Sequence, residues 1–345
     1  MRFPDIAMTK ALLLLVTTGL SWISVGAAVG YVERRGYDLV LYQILLCAVC
    51  VALGLAGWMA APGAFFPKDG APALTWVLVV SALLLCGVFN YLMSAMMGKA
   101  MKLGPNAAVW AIIQSGLVYP FLMGSILFGV PTGPRRICGI LLIVASVFLY
   151  AARGKAGGTA SSDVATQPRS FRESAAVEQP APRQAPLRLW LPAALLGMLF
   201  CGVNQCAANL PSYLEKGNEF SGTFRTFAVY FGLLVAALAD RAFRRRIHGR
   251  GQVAPPPSHG RELRALATLA TGVGALSFLA TKYLTFPGLD SLERLGAGSM
   301  GYPVMVAACI IGFFPYGALV LHERISARQA LGAVLGLAGI VLGCL

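Results

Sequence analysis

The feature that most constrains this chain is the recurrence of apolar stretches such as ALTWVLVVSALLLCGVFNYLM (73–93), in which no charged residue appears. A helix of about eighteen residues is roughly 27 Å long, close to the ~30 Å hydrocarbon core of a bilayer. Runs of this kind lie near 11–30, 39–60, 73–98, 106–129, 134–152, 189–210, 223–240, 263–286, 297–321 and 326–344. They predict an all-α polytopic membrane protein with about ten transmembrane helices. Charged residues make up only 12% of the 345, and mean hydropathy is +0.70. A soluble domain carries about twice that charged share, so a water-soluble fold is excluded. Arg2 and Lys10 before the first run would also suit a secretory leader. Its length and the lack of a small-residue cleavage site favour a retained helix.

The net charge of +14 does not point to nucleic acid, because of where the charge lies. Most of the excess falls in two hydrophilic segments. One is 153–188, with Arg153, Lys155, Arg169, Arg172, Arg183 and Arg188; the other is 241–264, with Arg241, Arg244, Arg245, Arg246, Arg250, Arg261 and Arg264. Basic loops of membrane proteins act as cytoplasmic topology determinants. The expected partner is therefore the lipid bilayer, with no nucleic acid. An outside N-terminus puts both segments in the cytoplasm together with Arg34, Arg35, Lys99, Lys102, Arg324 and Arg328. That is more than twice the basic residues retained by the opposite arrangement. Both termini are thus expected outside the cytoplasm of a bacterial-type inner membrane.

Residues 154–186 are rich in Gly, Ser, Ala and Pro without periodicity and read as a disordered linker. The linker separates a first five-helix unit (1–153) from a second (187–345). Superposing Gly139 on Gly332 brings Arg135 onto Arg328 and Val130 onto Glu323; a one-residue shift then matches Leu103–Gly104 with Leu295–Gly296. Two repeats with an odd number of spans each must cross the membrane in opposite senses, an inverted repeat of the kind associated with secondary transport.

The five-plus-five plan, HERISARQALGAVLGLAGIVLG near the end and its counterpart GVPTGPRRICGILLIVASVFLYA resemble the drug/metabolite transporter superfamily (EamA-like). A glutamate commonly closes the penultimate span of each half in that family; Glu323 matches it and Val130 departs from it. GVFNYLMSAMMGKAMKLG is also similar to the rhamnose and glucose permease branch. The resemblance implies a gradient-driven or exchange transporter, with spans one, three, four, six, eight and nine around a midplane cavity and spans five and ten as scaffold. The substrate expected is a small polar or amphipathic metabolite, with a sugar permease or an amino-acid or drug exporter as alternatives and a non-transporting membrane enzyme or assembly factor as the alternative from another class.

The residues supply details of their own. His322, Glu323 and Arg324 mark a helix end at the interface, with Ser326 placed to cap the next helix. Gly332, Gly336, Gly339 and Gly343 then share one face, which lets a helix approach closely, either within the chain or across a homodimer. The eight cysteines all fall within spans, where they read as small packing groups. The three histidines lie in loops or at a helix end, and no Asp or Glu is expected inside a span, so neither a catalytic constellation nor a metal or cofactor is expected.

Polar side chains in spans usually face a cavity or a neighbouring helix. Asn204, Gln205 and Asn209 cluster in span six, where Pro211 is expected to break the helix. Asn90, Trp110, Gln114 and Tyr302 add amides and rings, suited to a small polar organic ligand. Each of these also fits interhelical hydrogen bonding or packing. Lys282 is the one charged residue expected in a span, either holding an anionic group or snorkelling.

Overall fold

The computed structural model describes residues 6–67, 70–104, 106–151, 187–252, 260–319 and 327–344. Every regular element among them is helical: α1 (Ile6–Arg34), α2 (Leu39–Ala60), α3 (Ala73–Leu103), α4 (Asn106–Gln114), α5 (Val118–Leu122), α6 (Pro134–Ala151), α7 (Leu187–Tyr213), α8 (Gly222–Gln252), α9 (Gly260–Ala280), α10 (Phe286–Arg294), α11 (Gly301–Leu319) and α12 (Ala327–Cys344). Seven helical stretches are long and apolar enough to cross a membrane. They coincide with expected spans one to four and six to eight; α6, α11 and α12 occupy the positions of the fifth, ninth and tenth. Large apolar side chains such as Leu13, Leu74, Leu141 and Phe148 are exposed on the outside of the bundle, where lipid is their natural solvent. The chain is an all-α polytopic membrane protein.

Two of the long stretches are interrupted. From Asn106 the chain runs through α4, a 3₁₀ turn at Ser115–Leu117, α5 and a π turn at Met123–Leu127. Pro120 has no N–H for the Gly116 carbonyl, which removes one α-helical bond at that break. The second rod joins α9 to α10 through a π turn at Thr281–Thr285. There the Thr285 hydroxyl donates to the Ala280 carbonyl at 3.3 Å. Pro287, just beyond, has no N–H for the Tyr283 carbonyl. The break expected at Pro211 does not occur, since α7 continues to Tyr213. This proline sits so near the helix end that it forfeits little beyond the Ala207 carbonyl bond.

The second rod also overruns its expected limit at 286 and stays helical to Arg294. A hydropathy reading stops early because Asp290, Glu293 and Arg294 count against a span, yet Asp290 is 9% exposed. On α8, Arg225 is fully buried. The expectation that no acid lies inside a span is corrected accordingly.

Helix contacts come in matched pairs. α3 lies along α7 as α1 lies along α9 and α10; α3 meets α8 as α2 meets α9; α1 meets α11 as α7 meets α4 and α5. α6 packs on α12. Gly332, Gly336 and Gly339 are buried, and a Cβ at Gly339 would lie 2.7 Å from the Gly139 carbonyl oxygen and 2.8 Å from Ile143. Of the two alternatives for the glycine face, the contact within the chain is the one formed. α6 lies against Gly336 and Gly339. Between α3 and α8 the backbones touch: a side chain at Gly87 would collide with the Val229 carbonyl, and one at Gly232 with that of Leu84. The His322–Arg324 group, Ser326 and the 154–186 linker lie outside the described residues.

The apolar interior forms two clusters. One gathers Val29, Val32, Tyr42, Met97, Trp110 and Phe313. The other gathers Leu15, Phe65, Phe220, Phe286, Leu289 and Tyr302. Trp22 packs against both.

Candidate functional site

Where the two clusters meet, the bundle holds a cavity of about 130 Å³. Its amides are Gln43, Asn90, Gln114, Asn204 and Gln205; hydroxyls come from Ser94, Tyr230, Ser277, Thr281, Thr285 and Tyr302; rings come from Trp22, Trp110 and Phe286. Among the described residues no charged side chain lines it. The helical period explains the convergence. Cys201, Gln205 and Ala208 share one face of α7, and Cys86, Asn90, Met93 and Ser94 share one face of α3. The π turn also re-aims its strand of backbone, so that Ser277, Thr281 and Thr285 follow one another at four-residue spacing along the wall.

Hydrogen bonds hold several of these groups in place. The Cys86 thiol donates to Asn204 Oδ1 at 2.8 Å, and Gln205 Nε2 donates to the Cys201 sulfur at 3.2 Å. Tyr230, Ser277 and Thr281 stand together in the wall. Trp110 stacks on Phe313 at 5.8 Å, and Trp22 stands 6.3 Å from Tyr302. Gln205 Oε1 is buried and has no partner. A buried acceptor left unmade costs about 1–3 kcal/mol, so the wall offers a ligand one preformed acceptor.

Six of the eight residues singled out from the sequence therefore meet at one cavity: Asn90, Trp110, Gln114, Asn204, Gln205 and Tyr302. Asn209 does not line it; its amide donates to the Tyr213 hydroxyl at 3.3 Å. Lys282 does not either. Its ammonium lies 4.5 Å from the centre of the Tyr283 ring, beside a separate pocket with Phe65 and Ser221. The sequence reading also missed Gln43, Tyr230, Ser277, Thr281 and Thr285. Gln43 was visible as a lone amide in an apolar run. The family plan set span two aside, and span seven likewise, although Val229, Tyr230 and Leu233 complete the wall.

Beside the cavity lies a polar group that the sequence did not announce. Arg225 of α8 donates to both oxygens of Asp290 of α10, at 2.9 and 2.8 Å. Ser212 of α7 donates to Asp290 at 2.6 Å and accepts from Arg225 at 3.1 Å. The guanidinium stands 4.0 Å over the Phe286 ring, whose own ring faces the cavity. The Asp290 carboxylate, Ser212 and the cation–π contact offset most of the cost of burying this charge, while the Arg225 Nε–H stays without a partner. Among the described residues no three His, Cys, Asp or Glu side chains gather as metal ligands would.

No protein-family model matches the chain, and no curated protein does. Among solved structures it is similar to a crystal structure of a protein that shares 18% identity, with a TM-score of 0.60 over 97% of this chain and 98% of that one. At that identity the likeness is one of fold, and it spans both chains from end to end.

Proposed function

We propose that this protein is a secondary transporter of the drug/metabolite type, moving a small uncharged polar metabolite by alternating access. One observation carries the reading: both halves of the chain contribute amides, hydroxyls and rings to a single cavity between two apolar clusters, with no charged lining group among the described residues. Ten spans in two inverted five-helix repeats belong to the same reading. Helices at the positions of the fifth, ninth and tenth spans support it, as do the matched helix contacts. Two related halves around one site can exchange conformations and present it to either side. A bacterial inner membrane with both termini outside the cytoplasm follows from the charge bias.

The wall favours a neutral ligand because an ion would be stripped of water with no counter-charge to receive it. Within that class a sugar permease is the narrower reading: Trp22, Trp110 and Tyr302 offer flat apolar faces, while Gln114 and Gln205 offer donors and acceptors to hydroxyls. The test is uptake or efflux in proteoliposomes across a panel of sugars, amino acids and cationic drugs. A neutral polar solute should move, and Gln205→Ala should slow it. Movement of cations alone would sink the neutral-ligand reading, and movement of nothing in the panel would sink the transport reading.

A further inference from the structure

We infer that Glu293 is an exchangeable-proton site, linked to the cavity along one face of α7. The inference rests on the transport reading for its use, though not for its existence. Glu293 occupies the last turn of α10, and its Oε2 is buried without a hydrogen-bond partner. Ser299, 1% exposed, also holds its hydroxyl oxygen without a partner. Tyr213 joins this niche, for a Cβ at Gly298 would lie 3.1 Å from the Tyr213 hydroxyl oxygen and would collide with Glu293 Oε2. Gly298 thus leaves room for the carboxyl and nothing more.

The neighbouring charges do not settle that oxygen. Asp290, one turn back on α10, adds a like charge beside Glu293, and Arg225 of α8 gives one guanidinium nitrogen to both Asp290 oxygens and another to Ser212. On α10 itself, Arg294 turns its Nε to the Asp290 carbonyl at 3.2 Å. From α6, Arg136 donates to the carbonyls of Pro131 and Gly296. Lys216, after α7, reaches the Gly70 carbonyl at 3.4 Å. Lys282 lies over Tyr283, and Lys10 of α1 is exposed. Tyr213 is the titratable group that α7 presents. Holding Oε2 as an anion with no donor beside it is costly, whereas the half-buried carboxyl can exchange a proton with solvent and, when neutral, donate to a hydroxyl.

The link to the cavity follows from spacing. Gln205, Asn209 and Tyr213 stand four residues apart along α7 and so share a face. Asn209 bonds Tyr213 at one end, and Gln205 lines the cavity at the other. A proton arriving on Glu293 changes what Tyr213 can donate, and this face carries the change toward the ligand.

The decisive experiment is infrared difference spectroscopy of the purified full-length protein between acid and alkaline buffer, which needs no ligand. A protonated-carboxyl band should titrate in the parent, vanish in Glu293→Gln and return, displaced, in Glu293→Asp. Tyr213→Phe and Gly298→Ala keep the acid and should each move the midpoint, which covers the case in which Glu293→Gln fails to fold. An undiminished band in folded Glu293→Gln overturns the proposal, as does a midpoint that neither of the other variants moves. In proteoliposomes, Glu293→Gln should abolish the acceleration of uptake by an imposed pH gradient. Parent protein that shows the band yet moves no solute refutes the transport reading and leaves the proton site standing. Uptake that ignores the gradient while the band titrates overturns the link.

Discussion

Gln205 and Asn209 illustrate how one helical turn separates two roles. Gln205 offers an unpaired acceptor to the cavity, whereas Asn209 is spent on Tyr213. Gln205→Ala should therefore weaken ligand binding, since a lost hydrogen bond that leaves its partner unpaired costs about 1–3 kcal/mol, a fall in affinity of roughly several-fold to a hundredfold. Asn209→Ala should lower the melting temperature and leave affinity at fixed pH unchanged. Isothermal titration and thermal melts on the same preparations check both. The sequence showed both amides but not their division, because i, i+4 spacing puts them on one face without saying where along it the cavity ends. Arg225 and Asp290 were less legible still. Sixty-five residues separate them, and each alone argues against a membrane span. Asp290→Asn should destabilise by about 3–5 kcal/mol, the cost of stranding a buried charge, while Arg225→Met combined with Asp290→Leu should recover most of it. Denaturant or thermal melts of the single and paired variants measure this. A paired variant no more stable than Asp290→Asn would contradict it.

At the scale of the element, apolar runs foretold where helices lie but not how they are broken. α4 to α5 and α9 to α10 each read as one span and hold 3₁₀ or π turns, because hydropathy averages over a window and is blind to a single missing N–H. Pro120 and Pro287 were the available signals, and Pro211, which drew more notice, left its helix whole. The glycine face of α12 was legible because spacing alone determines which residues share a side. Its partner was not, since the sequence could not choose between α6 and a second copy. Gly339→Leu should abolish folding, and Gly336→Leu should be milder, because a Cβ at Gly336 meets only the Ser146 hydroxyl at 3.1 Å whereas one at Gly339 meets backbone. Size-exclusion profiles of the two purified variants rank them. Equal profiles would show that α12 can move off α6 at little cost.

For the molecule as a whole, orientation rests on charge. Cysteine labelling or reporter fusions should place 154–186 in the cytoplasm and the C-terminus outside it; a cytoplasmic C-terminus would reverse every assignment of side. The close approach of α3 to α8 at Gly87 and Gly232 bears on motion. Where two main chains touch with no side chain between them, there is nothing soft to shear. Sliding one helix along the other would drive methylene into carbonyl, whereas turning about the point of contact would not. On the transport reading, the pair would serve as a fulcrum, and a movement that exposed the cavity would tilt the bundle around it like a seesaw rather than slide α3 along α8.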